Sequence, residues 1–164
     1  MTDPCVPEIR VKVADLAASA AGTLITIGLG SCVAIALYDE GAAVGGLAHV
    51  LLPDETMSRD RTNLAKFPST AIPMLLERME SLGARRERMW AKIAGGASMF
   101  GSLLPSGGIN VGERNVSAVR DALSGVGMPI LAEDTGGDYG RSVYFFVDEG
   151  RVEVRSLKKG ARVL

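Results

Sequence analysis

The chain is expected to fold as a single α+β domain, a layered sandwich in which helices pack outside mixed β-sheet. Three observations point there. Short runs rich in β-branched residues outnumber the stretches with helical spacing. Those runs mostly follow one another instead of alternating with helices. A length of 164 residues, 47% of them hydrophobic, suits one core-bearing domain with no linker-like tract to divide it.

Residues 1–7 carry two prolines and read as a loose tail. Ile9, Val11 and Val13 then alternate with Arg10 and Lys12, the pattern of a half-exposed strand. The Ala-rich residues 15–21 favour neither period. Residues 23–27 form an apolar β-type run that feeds a glycine-punctuated loop, Gly28-Leu29-Gly30-Ser31-Cys32. Residues 33–38 and 44–50 flank Glu40-Gly41 and read as the arms of a hairpin, whose pairing brings His49 back toward Cys32. Residues 53–66 mix Asp54, Glu55, Arg59, Asp60 and Arg61 without period. They read as a surface loop beside the hairpin, either a solvated connection or a segment that gates or contacts a substrate.

Between 69 and 82, Ala71, Ile72, Met74, Leu75, Met79 and Leu82 recur at helical spacing. Ser69 is the expected N-cap, Pro73 falls in the first turn, and Gly83 is the stop. Arg85, Arg86 and Arg88 read as a solvated turn, and residues 89–94 as a core strand anchored by Trp90. Residues 102–112 are turn-rich, and 115–126 carry a second helical pattern ending at Gly127. Strands are expected at 128–133, 142–147 and 151–157, the last two joined as a hairpin through 148–150. The Gly/Asp loop at 134–140 reads as mobile.

Composition excludes several classes of function. Lys plus Arg number 18 against 19 for Asp plus Glu, so a net charge of -1 offers no field to recruit nucleic acid or an anionic membrane. The longest apolar stretch, 44–52, is too short to span a bilayer, and the N-terminus lacks the basic and apolar regions of a signal peptide, so a cytoplasmic location is expected. One histidine cannot build a metal cluster, and Cys5 and Cys32 make no disulfide framework. Gly28-x-Gly30 has Val33 where a dinucleotide fingerprint needs its third glycine, and Gly95-Gly96 lacks the Lys-Ser/Thr of a phosphate loop. No cofactor is expected.

What remains is Cys32 and His49. Gly28 and Gly30 let the loop turn the backbone N–H groups of Ser31 and Cys32 toward one point, as a nucleophile attacking a carbonyl needs. A thiol becomes a good nucleophile only as the thiolate, and an imidazole is the usual means of obtaining one near neutral pH. The alternative is a small buried cysteine and a strand histidine satisfied by a backbone carbonyl. Residue types alone leave both open.

Thr26-x-Gly28-Leu29-Gly30-Ser31-Cys32-Val33-Ala34, with Gly45-Gly46-Leu47-Ala48-His49 and Leu51-Leu52-Pro53, resembles the signature of the CheD family, the chemoreceptor glutamine deamidases. Residues 92–100, 110–116 and 133–137 with Arg141 resemble later blocks of that family in the same order. The resemblance implies that Cys32 is the nucleophile, His49 the general base and acid, and Thr26 the group that orients the imidazole. It implies chemoreceptor cytoplasmic domains as substrate, no cofactor, and a CheC-type phosphatase as a further partner, for which Met99 and Phe100 are an apolar contact; a core role for Phe100 is the alternative. Two rival classes stay open: a sibling thiol hydrolase, such as a protease or transglutaminase, and a non-catalytic module that docks to receptors or to the phosphatase.

Overall fold

The computed structural model describes residues 6–99 and 110–164. Cys5, Phe100 and all but the last three residues of the turn-rich 102–112 stretch lie outside the described residues.

The described residues form ten strands and two α-helices. In chain order these are β1 (Glu8–Arg10), β2 (Asp15–Ser19), β3 (Thr23–Leu29), β4 (Val33–Asp39), β5 (Val44–Val50), α1 (Pro68–Ser81), β6 (Met89–Gly95), α2 (Val111–Gly125), β7 (Ile130–Thr135), β8 (Arg141–Phe146), β9 (Arg151–Ser156) and β10 (Gly160–Val163). They make two five-stranded sheets, ordered β1-β3-β8-β9-β10 and β2-β5-β4-β6-β7. Each is mixed: β1 runs parallel to β3 and β6 to β7, while the other pairs are antiparallel.

The period of β4 explains the layering. All seven of its residues are buried, and successive side chains point to opposite faces. Val33, Ile35 and Leu37 pack with Ile72, Leu75, Leu76 and Met79 of α1 and Val116, Val119 and Leu123 of α2. Ala34, Ala36 and Tyr38 pack instead with Leu24, Val143, Phe145 and Val152 of the other sheet. The result is sheet on sheet with both helices over one outer face, the α+β sandwich expected from sequence. Each fully buried Leu, Ile or Met contributes about 1.5–3 kcal/mol of hydrophobic stabilisation, so the second sheet is sandwiched between two such interfaces.

The β4–β5 hairpin forms as expected, from Val33↔Val50 to Asp39↔Val44. Asp39 is buried at its end and ties the turn by accepting hydrogen bonds from the backbone N–H groups of Gly41 and Ala42. It also takes Arg88 in an ion pair at 2.8 Å, so that arginine is not part of a merely solvated turn. These hydrogen bonds hold the Asp39 carboxyl below its ordinary pKa, against the upward push of burial.

Several expectations are corrected. Residues 15–19 are a strand, because β2 pairs with β5 from Asp15↔His49 to Ser19↔Gly45; alanine's weak strand preference hid it. β1 stops at Arg10, leaving Val11 buried and Val13 exposed. Helix α1 starts at Pro68 with Phe67 as N-cap, so Ser69 is inside it, and Pro73 lies in the second turn. Helix α2 starts at Val111, capped by the Asn110 side chain on Glu113 N–H, four residues before the apolar pattern begins. A tenth strand, β10, was absent from the sequence reading; its four residues are exposed, so no buried face marked it. The 134–140 loop is not free: Arg141 is buried and hydrogen-bonds the Asp134 carboxylate and the carbonyl oxygens of Asp134 and Gly136.

Candidate active site

Cys32, just before β4, His49 on β5 and Thr26 on β3 bring the two sheets together. Ala34 stands opposite His49 in the β4–β5 register. Cys32, two residues earlier on the face that meets the other sheet, is therefore the diagonal neighbour of His49, about 7–8 Å away between Cα atoms. That is within reach of an imidazole. Thr26 comes from β3, across the inter-sheet layer, and its Oγ1 lies 2.7 Å from His49 Nδ1.

A bulge aims this part of β3. Thr26 pairs with Val143 and Leu29 with Arg141, three residues against two. The extra residue is absorbed at Gly28, whose φ is 78°, a conformation that costs glycine little. Thr26 and Leu29 thereby both face inward, while Ile27 and Gly28 turn to solvent.

The hydrogen bonds determine where the imidazole proton sits. The Thr26 hydroxyl donates to the Val11 carbonyl at 2.7 Å. A hydroxyl has one proton, so toward His49 the Thr26 oxygen accepts, and Nδ1–H donates. The neutral ring then carries its lone pair on Nε2. That atom is buried and has no hydrogen-bond partner. His49 is therefore satisfied by a hydroxyl, and not by the backbone carbonyl that the alternative reading supposed.

Burial acts oppositely on the two candidate groups, because a dry environment disfavours either charge. It pushes the His49 pKa down to about 4. It pushes the Cys32 thiol up, partly offset by a hydrogen bond from the residue's own N–H. Both shifts favour the neutral form of each group, thiol and imidazole, over an ion pair. Thr26 and His49 are 1% and 0% exposed whereas Cys32 is 8% exposed, so Cys32 is the one of the three that reaches the surface.

The loop before Cys32 is held from behind. Gly96 N–H donates to the Cys32 carbonyl at 2.8 Å and Ala97 N–H to the Gly30 carbonyl at 2.9 Å. A Cβ at Gly95, where φ is 116°, would lie 2.2 Å from the Cys32 carbonyl oxygen, so only glycine fits there. From α2, Asn115 Nδ2 donates to the carbonyls of Ser31 at 2.8 Å and Leu51 at 3.1 Å. With its carbonyl turned to Asn115, Ser31 has its peptide orientation set; Gly28 is exposed, and Gly30 and Ser31 are half-buried. The Cys32 N–H hydrogen-bonds its own sulfur.

Met99 is half-exposed, and its Sδ lies 3.3 Å from where a Cβ on Gly30 would be, so this side chain overhangs the loop next to Cys32. Residues 53–66 are tied to the strand that bears His49: Leu51 and Leu52 N–H donate to the Lys66 carbonyl, and Asn63 Nδ2 donates to that of Ala14. Among the described residues no three His, Cys, Asp or Glu side chains gather as metal ligands. No described helix is long and apolar enough to cross a membrane. Asn115 and Val11 support the site although the sequence assigns them no such role: Asn115 falls in the 110–116 block and at the start of the expected second helix, and Val11 in the expected first strand.

Residues 51–156 match the family described as CheD chemotactic sensory transduction. The chain is 48% identical over 158 residues to a protein of Clostridium novyi (strain NT) named "Probable chemoreceptor glutamine deamidase CheD", covering 96% of this chain and 98% of that one. It is 45% identical over 157 residues to a protein of the same name from Caldanaerobacter subterraneus subsp. tengcongensis, covering 95% and 97%. A third so named, from Clostridium botulinum (strain Hall), is 44% identical over 158 residues, covering 96% and 98%.

Proposed function

The chain belongs to the CheD family, and from that premise we propose that it is a chemoreceptor glutamine deamidase, with Cys32 as nucleophile, His49 as general base and acid, and Thr26 as the group that holds the imidazole. The observation that carries this reading is the hydroxyl of Thr26. Because its proton is committed to Val11, the lone pair of His49 is placed on Nε2, the nitrogen left free for the thiol.

The reaction follows from those roles. As the Cys32 Sγ attacks the side-chain carbonyl carbon of a substrate glutamine, its proton passes to His49 Nε2. Since both groups are neutral at rest, transfer and attack proceed together, the developing negative charge residing on the carbonyl oxygen and not on an isolated thiolate. The Cys32 N–H, with Ser31 N–H beside it, donates to that oxyanion. His49 Nε2–H then protonates the departing nitrogen; the C–N bond breaks and ammonia leaves a thioester. A water gives its proton to Nε2 as it attacks the thioester carbon. The C–S bond breaks, the sulfur recovers the proton from Nε2, and glutamate is released. Nδ1–H stays on Thr26 throughout, so one tautomer serves both halves.

Specificity comes from an extended protein surface. Among the described residues, the groups bonded to the Cys32 loop are Asn115, Gly96 and Ala97, none of them charged to hold the ammonium and carboxylate of free glutamine. Remote contacts of a receptor helix, with Met99 overhanging the loop as one of them, position the side-chain amide. The cytoplasm is where this protein meets that substrate. A CheC-type phosphatase would bind over the same Met99 face.

Incubating a purified receptor cytoplasmic domain with the wild type, Cys32→Ala or His49→Asn, followed by peptide mass spectrometry, tests the proposal. Glutamine-to-glutamate conversion at a few positions, with ammonia release and only with the wild type, is expected. His49→Asn should retain the fold and lose about 10²- to 10⁴-fold per assisted step. Backbone cleavage would indicate a protease, cross-linking a transglutaminase, and tight receptor binding without conversion a docking module.

A further inference from the structure

The contact between α2 and the Cys32 loop has no place in the reaction just described. Asn115 is completely buried. Both protons of its amide serve backbone carbonyls that are far apart in sequence: Ser31, immediately before Cys32, at 2.8 Å, and Leu51, two residues after His49, at 3.1 Å. Turning the amide over would set Oδ1 against two carbonyl oxygens, so the orientation is dictated. The Oδ1 atom is itself buried without a hydrogen-bond partner. That is a cost to the fold which a leucine at this helix position would avoid.

We infer that Asn115 is a positioning residue that sets the separation of the Cys32 sulfur and His49 Nε2, by clamping the entry to one and the exit from the other. The inference rests on the Cys32–His49 reading of the site. The β4–β5 ladder begins at Val33↔Val50. Cys32 and Leu51 lie just beyond that first rung, so the ladder by itself leaves the approach to Cys32 free to splay from the strand that bears His49. The two Nδ2–H bonds close that open end. On the other side, Gly96 and Ala97 hold the loop only to β6, which does not carry His49. Among the described residues, Asn115 is the side chain bonded to both.

The test uses a readout that a merely structural contact would not move. At pH 7 little thiolate is present, so transfer of the thiol proton to His49 carries alkylation of Cys32 by iodoacetamide. The factor by which His49→Asn slows this reaction measures how well the pair is aligned. It should be large in the otherwise wild-type protein and fall toward one when Asn115→Asp, which keeps the shape but leaves at most the single donor of a protonated carboxyl for the two carbonyls, is introduced beside it. On receptor substrate, Asn115→Asp should lower kcat by about 10²-fold, the effect of roughly 1 Å of misplacement, with KM unchanged. Asn115→Leu, close in size and with no donor, is expected to lose at least as much and serves in its place if Asn115→Asp does not fold.

An unchanged His49 factor in the Asn115 variants, or a factor already near one in the wild type, overturns the inference. So does a fall in melting temperature with kcat retained. The two readouts separate this idea from the proposed activity. A wild type that deamidates no receptor, yet whose His49 factor collapses on Asn115→Asp, refutes the activity and supports the clamp. Full deamidation with an unmoved factor does the reverse.

Discussion

Thr26→Val is the substitution that most directly probes how the imidazole is prepared. Valine matches threonine in shape but has no hydroxyl, so it deletes both 2.7 Å contacts, to the Val11 carbonyl and to His49 Nδ1. Thr26 and His49 are both buried, so neither stranded group gains water in exchange. Leaving a buried donor or acceptor unpaired costs about 1–3 kcal/mol each. The pair therefore amounts to about 2–6 kcal/mol, a large part of the 5–15 kcal/mol typical of a domain. The chemical effect is separate: without an acceptor at Nδ1 the ring is free to carry its proton on Nε2, where it cannot act as base. A wrong tautomer costs up to about 10⁴-fold in rate. Thr26→Ser, which keeps the hydroxyl, should retain most of the activity. Because the chain has one histidine, ¹⁵N-histidine NMR reports His49 alone. The wild type should show a protonated Nδ1 and an unprotonated Nε2, and Thr26→Val a mixture. A wild-type ring protonated on Nε2, or a fully active Thr26→Val, would refute the reasoning.

Two further outcomes concern pH. The His49 pKa is depressed to about 4 from 6.5, so the unfolded chain binds the proton more readily. Stability should therefore be fully present above pH 6.5 and decline by about 3 kcal/mol as the pH falls to 4; urea titrations across that range should show the decline flattened in His49→Asn, and an equal decline in that variant would remove His49 as its cause. The second outcome concerns the thiol, which burial raises above its ordinary 9.0. Without substrate, the rate of Cys32 alkylation should continue to climb past pH 9, on top of the slower His49-assisted reaction at neutrality. A plateau reached between pH 6 and 7 would reveal a resting thiolate–imidazolium pair and contradict the neutral ground state.

Much of the site was legible in the sequence because it is built from short-range rules. The two-residue period of β4 and β5 and the Glu40-Gly41 turn place Cys32 and His49 on one face of one hairpin, and glycines mark the loop that leads to the sulfur. The order of motifs carried the family. Residue-level periodicity also identified both helices and most strands, but misjudged their ends. Ser69 resembled a cap until Pro68 and Phe67 took the first turn, and α2 began before its apolar stripe did.

Tertiary structure decided everything that depends on what meets across layers. Residues 15–19 became a strand only because β5 was there to pair with them. The return of Leu29 to the inner face after Thr26 was a matter of one bulge at Gly28, and the tautomer of His49 a matter of the carbonyl of Val11 on a different segment. Asn115, some eighty residues from Ser31 in the chain, joined the site through a single amide. The physical reason is that the sequence pattern records which face of an element is apolar, whereas protonation and alignment follow from desolvation and hydrogen bonds between groups brought together only when both sheets and α2 close on one another.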